Sequence, residues 1–271
     1  MPELPEVEIT RRGLSPFLTQ QQIVAVNVRQ PRLRWPVPTE LALELPGLTI
    51  EQVDRRAKYL LLRTPDGTVI IHLGMSGSLR MAELGSSPNQ HDHVDLVLKN
   101  GHCVRLRDPR RFGAILWTRR DVRTHPLIAK LGPEPFSDPF HGQYLHHRSR
   151  GRRMAIKSFI MDSQVVAGIG NIYANEALYL AGIHPARPVH RISKPRYERL
   201  SIAIKQVLED AIAAGGTSLR DFVNSIGQPG YFSQSLRVYG RSGQACEGCG
   251  RTLLHARIGQ RSSFYCPHCQ R

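Results

Sequence analysis

Four of the five cysteines have a spacing that does chemistry. Cys246 and Cys249 are separated by two residues, as are Cys266 and Cys269, with sixteen residues between the pairs. Two such knuckles supply the thiolates of a tetrahedral zinc site, and the stretch between them has the length of a β-hairpin. So short a module cannot build a core of its own, and the metal supplies its folding energy. Two disulfides would use the same residues, but a reducing compartment disfavours them. The expected cofactor set is one structural zinc ion, with no redox or organic cofactor. His255 and His268 are then bystanders, since four thiolates complete the site. Between the knuckles, Arg257 and Arg261 lie near Gly259, so the hairpin would present arginines to phosphates.

The N-terminus, Met1-Pro2-Glu3-Leu4-Pro5-Glu6-Val7-Glu8, offers a second chemistry. Removal of Met1 ahead of the small Pro2 leaves a secondary amine at the chain end. An α-amine titrates near 7.7–8.0 against about 10.4 for lysine, so roughly a third is neutral near pH 7.5. A neutral amine attacks a sugar aldehyde carbon to form an iminium, as lysine does in Schiff bases. Glu3 and Glu6 are near enough in sequence to serve as general acid or base. The same residues also read as a plain helix start, with proline in the first turn and acids favouring the dipole. Both readings stay open on spacing alone. Gly168-Ile169-Gly170-Asn171, opening a helix, is either a turn or a backbone phosphate site, and the cations just upstream favour the latter.

Charge narrows the partner. Among 271 residues, 37 Lys and Arg face 22 acids, a formal net charge of +15, which attracts a polyanion such as nucleic acid. The excess is uneven: Arg148, Arg150, Arg152, Arg153 and Lys157 form a run without an acid. With 41% hydrophobic and 22% charged residues, a wholly disordered or collagen-like chain is excluded. No apolar run approaches the ~20 residues of a membrane span, and the N-terminus lacks a secretory signal, so a cytoplasmic chain with no membrane partner is expected.

The elements that must position these residues fall into two styles. Ile23–Arg29 alternates, with Val24, Val26 and Val28 on one face. Tyr59–Leu62 and Val69–Leu73 flank the turn Pro65-Asp66-Gly67, and Asn100-Gly101 separates another alternating pair. A short helix precedes them, with Val7 and Leu14 inward and Gly13 ending it. Helical periodicity then takes over, at about 172–181 and through Tyr197, Leu200, Ile204, Val207, Leu208, Ala211 and Ile212, before Gly215-Gly216. The fold class expected is α+β multidomain: a β-sandwich over 1–131, a linker over 132–153, a helical domain over 154–236 and a zinc finger over 237–271.

These residues resemble a known family. The N-terminal octapeptide, Arg55-Arg56-Ala57-Lys58-Tyr59, His72-Leu73-Gly74-Met75-Ser76-Gly77, Asp108-Pro109-Arg110-Arg111-Phe112-Gly113, Gly168-Ile169-Gly170-Asn171-Ile172-Tyr173 and the four-cysteine finger are similar, in order, to motifs of bacterial formamidopyrimidine-DNA glycosylase. The resemblance covers residues 1 to 269. It implies a helix–two-turns–helix C-terminal domain, DNA held in a cleft, and a monomer acting on double-stranded DNA that contains oxidised purines, cytoplasmic and at the nucleoid when acting. It further implies that Pro2 attacks C1′ of a flipped-out nucleotide, expels the base and drives β,δ-elimination. Glu3 resembles the acid that protonates the opening sugar, Glu6 a second active-site acid, and Lys58 the lysine on the adjoining phosphate. Met75, Arg110 and Phe112 match the residues that fill the vacated space, although Met75 and Phe112 alone would read as core. His93, Lys157, Asn171 and Arg261 resemble DNA contacts, and 217–239 a loop over the flipped base. Two alternatives are an endonuclease VIII-type glycosylase for oxidised pyrimidines, against which Leu4 argues, and a non-catalytic zinc-finger DNA-binding protein.

Overall fold

A computed structural model describes residues 2–217 and 232–271. The chain forms two compact units. One is Met1–Ala129 with the described residues of Ala214–Ser233; the other is Lys130–Ala213 with Gln234–Arg271. Among the described residues, no helix is long and apolar enough to cross a membrane.

The first unit opens with α1 (Leu4–Leu18), followed by β1 (Gln21–Val28), α2 (Glu40–Glu44), β2 (Thr49–Ile50), β3 (Gln52–Arg56), β4 (Tyr59–Thr64), β5 (Gly67–His72), β6 (Ser78–Glu83), β7 (Asp92–Leu98), β8 (His102–Arg107), β9 (Ala114–Thr118) and α3 (Pro126–Ala129). Two antiparallel sheets result, in the orders β2-β1-β7-β8-β6 and β3-β4-β5-β9. Ile23, Leu96 and Val104 of the first sheet share one core with Leu60, Leu62, Val69 and Ile71 of the second, and Val7, Leu14 and Leu18 of α1 join it. This is the expected sandwich, with a helix packed into it. Both hairpins are present, with Thr64 opposite Gly67 and Val97 opposite Cys103.

Two local expectations are corrected. Gly13 does not end the first helix, which runs on to Leu18. Burying Leu14 and Leu18 completely outweighs the ~1 kcal/mol cost of a helical glycine. Nor do the valines of β1 share an even face. A register shift between Ile23 and Ala25 re-phases the strand, so Val24 is 44% exposed while Val26 and Val28 pack against the core.

The second unit contains α4 (Gly142–Ser149), α5 (Ile156–Ile160), α6 (Asn171–Leu180), α7 (Lys194–Ala213) and the hairpin β10 (Leu254–Ile258) and β11 (Arg261–Tyr265). The 132–153 stretch thus carries α4, whose Leu145 is fully buried. The inward face of α7 is the expected one, from Tyr197 to Ala211, with Ile212 at its half-buried edge. Gly215 and Gly216 follow in the left-handed region.

Candidate active site and metal centre

Pro2 is buried just ahead of α1. Glu3 and Glu6 are each 1% exposed, an unusual placement for carboxyl groups in a chain with so many cations. Glu3 is the N-cap of α1 in extended conformation, and Glu6, at the third helical position, accepts the Glu3 N–H on Oε2 at 2.7 Å in a capping box. Pro5 fits the first turn because its missing N–H would have no helical partner. The other Glu6 oxygen, Oε1, accepts the Thr217 N–H at 2.9 Å. Glu6 therefore ties the helix start to the chain at residue 217. A side chain at Gly216 would approach Glu6 Oε1 to 3.3 Å and Ile9 to 3.1 Å.

Lys58 lies in the two-residue turn between β3 and β4, where Arg56 pairs with Tyr59 and Ala57 adopts a left-handed φ of +53°. Arg55 braces the turn, donating to the Ala57 carbonyl at 2.9 Å and to Glu8 of α1 at 3.1 Å. Glu8 also takes Arg11 and Arg12 of its own helix. Burial opposes its charge, but these arginines prevail and hold its carboxyl down at about 2. One buried carboxylate thus fixes the lysine turn against the helix that carries Glu3. The His72 ring packs at a tilt against Tyr59, centroids 5.0 Å apart, and accepts the Gly74 N–H on Nδ1 at 3.0 Å. Burial first, then the charges of Lys58 and Arg34, push its imidazole down to about 4. Two cations beside a neutral imidazole form a place for an anion.

Asp108, fully buried, organises two neighbouring loops. Its Oδ1 accepts the Ser76 hydroxyl at 3.0 Å and its Oδ2 the Gly113 N–H at 2.7 Å. Ser76 Oγ in turn accepts the Arg110 N–H at 3.3 Å. Gly74 lies against the Phe112 backbone so closely that a Cβ would sit 2.4 Å away. His93, 6% exposed, donates through Nε2 to the Asp108 carbonyl at 2.8 Å and so supports these loops from beneath. The loops present Met75 half-buried, Arg110 exposed and Phe112 at 44% exposure, with the Arg110 guanidinium 4.9 Å over the Phe112 ring. An exposed aromatic on so braced a loop is not a core residue.

In the second unit, Asn171 begins α6 after Gly170 at its N-cap. Its Oδ1 is buried and has no hydrogen-bond partner, and the positive end of the helix dipole at this terminus favours an anion. Lys157 is 1% exposed, and its Nζ donates to the Ser262 carbonyl at 2.6 Å and the Ser263 hydroxyl at 2.7 Å. It thereby holds the β10–β11 hairpin, where Gly259 and Gln260 both take left-handed φ and Arg261 projects into solvent. Glu176, 3% exposed, accepts the backbone N–H groups of Arg237, Val238 and Tyr239 at 2.8–3.0 Å. Burial pushes its carboxyl up against those donors.

The four thiols converge, all Sγ atoms lying within 4.8 Å of one another. The Cys246–Cys269 and Cys249–Cys266 separations are 3.9 and 3.5 Å, and none of the cysteines is disulfide-bonded. A tetrahedron of 2.3 Å zinc–sulfur bonds has edges of about 3.8 Å, so the donor set fits one structural zinc.

The structure gathers Pro2, Glu3 and Glu6 at one helix start, and Met75, Arg110 and Phe112 on one loop pair. Sequence reasoning missed Asp108 as a hub, Arg55 and Glu8 as braces, and Glu176 as the anchor of 237–239. Glu8 beside Val7 and Ile9, and Glu176 ahead of Ala177, gave only the weak signal of an acid next to apolar residues, and Arg55 and Asp108 sit among charged residues that hide their burial. The 218–231 part of the expected covering loop lies outside the described residues.

Comparison with known proteins agrees along the whole chain. Family profiles match the formamidopyrimidine-DNA glycosylase N-terminal domain at residues 1–115, its H2TH domain at 131–223 and the zinc finger found in FPG and IleRS at 243–271. The formamidopyrimidine-DNA glycosylase of Syntrophotalea carbinolica is 58% identical over 271 residues, covering 100% of both chains. The crystal structure of the MutM (Fpg) protein from Thermus thermophilus superposes with a TM-score of 0.89 at 36% identity, covering 99% of this chain and 98% of that one. Wild-type Lactococcus lactis Fpg, in complex with N7-benzyl-Fapy-dG containing DNA, gives 0.92 at 33% identity and 100% coverage of both. The chain belongs to the formamidopyrimidine-DNA glycosylase family.

Proposed function

We propose that this protein is a base-excision repair enzyme, a DNA glycosylase with abasic-site lyase activity that removes oxidised purines, 8-oxoguanine and formamidopyrimidines, from double-stranded DNA. The observation that carries the reading is Pro2 buried beside Glu3 at the start of α1. After loss of Met1, the Pro2 nitrogen adds to C1′ and the C1′–base bond breaks, the base leaving with a proton. Glu3 protonates O4′ as the C1′–O4′ bond opens, giving an iminium. Loss of the C2′ proton then expels the 3′ phosphate, a second elimination expels the 5′ phosphate, and water releases the amine. Glu6, with both oxygens on backbone N–H groups, orients this helix start. Lys58 neutralises the phosphate next to the lesion, with His72 uncharged beside it.

Phe112 enters the base stack, Met75 fills the space left by the flipped nucleotide and Arg110 hydrogen-bonds the orphaned base. Asn171 and Arg261 hold phosphates or the minor groove, and Lys157 and His93 act by fixing the hairpin and loops that carry those contacts. The division of labour follows a catalytic sandwich over 1–131, a connecting stretch over 132–153, a DNA-binding helical domain over 154–236 and a finger over 237–271. The protein acts as a monomer in the bacterial cytoplasm, at the nucleoid. The Lactococcus lactis relative solved with N7-benzyl-Fapy-dG containing DNA supports this substrate class.

Duplexes carrying one 8-oxoguanine, one formamidopyrimidine or one oxidised pyrimidine test the reading. The purine lesions should be released, leaving a one-nucleotide gap with phosphate at both ends. Preference for the pyrimidine would favour the endonuclease VIII-type alternative, and tight binding without release a non-catalytic binder.

A further inference from the structure

The metal centre has a neighbour that four-thiolate coordination does not require. Tyr179, near the C-terminal end of α6, places its hydroxyl 3.3 Å from Cys246 Sγ. Its ring packs partly buried against the cluster of Val238, Cys246, Leu253 and Cys266. A thiolate bound to metal can only accept, and a phenol carries one O–H donor. The direction of the hydrogen bond is therefore fixed once the site is loaded.

A second observation comes from the opposite side. Gly248 sits inside the first knuckle, and a Cβ there would lie 3.1 Å from the Tyr179 hydroxyl, 3.7 Å from Cys269 Sγ and 3.9 Å from Cys246 Sγ. Its φ is not left-handed, so the backbone does not demand glycine. A Cβ there would crowd the phenol, whose hydroxyl would have to give by a few tenths of an ångström.

The same helix also grips the hairpin. Asn175, fully buried, accepts the Phe264 N–H on Oδ1 at 2.7 Å and donates from Nδ2 to the Asn171 carbonyl at 2.6 Å. Residues 171, 175 and 179 are spaced at i, i+4 and i+8, one row along α6.

We propose that Tyr179 is a positioning residue of the metal centre: its hydroxyl donates to the Cys246 thiolate through the gap left by Gly248, orienting that ligand and joining the zinc centre to α6. Outer-shell partners of this kind set ligand orientation, and their loss typically lowers metal affinity about 10–100-fold.

The test is Tyr179→Phe, which keeps the ring and its packing and removes only the hydroxyl. Zinc affinity of the full-length protein is measured by chelator competition, and the cobalt-substituted protein supplies a thiolate-to-metal charge-transfer spectrum. We expect about tenfold weaker zinc binding and a shifted charge-transfer band, with the fold retained by circular dichroism. Gly248→Ala should weaken zinc comparably in the parent and add little in the Tyr179→Phe background. Affinity within twofold of the parent together with an unshifted cobalt band would overturn the proposal. So would a Gly248→Ala loss of equal size in both backgrounds, because the alanine would then act without the phenol.

Discussion

Asp108→Asn is the most informative perturbation of the site's framework. In the parent, a fully buried carboxylate takes the Ser76 hydroxyl and the Gly113 N–H, and hydrogen bonds to charged groups contribute about 1.5–3 kcal/mol each against about 0.5–1.5 for neutral ones. Asparagine can keep its carbonyl on Gly113, but its amide must then face Ser76 and reverse that hydroxyl. Two charge-assisted bonds become one neutral bond and one rearranged bond, a loss of about 2 kcal/mol, or roughly 30-fold in the folding equilibrium. Asp108→Ala leaves both donors unsatisfied and should cost about 4 kcal/mol. Urea unfolding measures the stability, and single-turnover excision measures how well Arg110 and Phe112 are still presented. Because Ser76 and Asp108 share a bond, Ser76→Ala and Asp108→Asn should couple by more than about 0.5 kcal/mol in a double-mutant cycle. A stability change below about 0.5 kcal/mol with normal excision, or strict additivity, would refute the view that Asp108 holds the two loops.

Other outcomes follow from the same geometry. Glu3→Gln should bind lesion-containing duplex normally yet lose base excision by at least about 100-fold; near-normal excision would remove Glu3 as the proton donor. Stripping the metal, or Cys246→Ser, should abolish DNA binding while the β-sheet signal of the sandwich persists, as seen by circular dichroism and gel shift. His72, held near 4 by burial, Lys58 and Arg34, binds fewer protons folded than unfolded between pH 6.5 and 4, so stability falls as pH drops through that window. Lys58→Met should raise the His72 pKa measured by NMR; an unmoved titration would separate the two residues.

The zinc spacing was legible because its chemistry imposes a rigid local pattern, thiolates two residues apart, whereas the N-terminal spacing left a plain helix start open and only the family resemblance pointed to its chemistry. Helix α7 was legible from its apolar period, and Gly215-Gly216 from conformational freedom. The end of α1 was not, since a local glycine signal was outweighed by burial of Leu14 and Leu18. Phe112 shows the limit on the site side, because no sequence period separates an aromatic braced outward by Asp108 from one facing a core. Lys157 and His93 show another: their residue types fit DNA contacts, while their burial beneath the hairpin and the loops depends on partners 15 to 106 positions away.

The central claim concerns the Pro2 nitrogen. Borohydride reduction during reaction with duplex DNA carrying one 8-oxoguanine opposite cytosine freezes any iminium as a stable amine, and peptide mass mapping locates it. The account predicts one covalent adduct on Pro2, abolished by an extra residue ahead of it. An adduct on a lysine with Pro2 unmodified would contradict it.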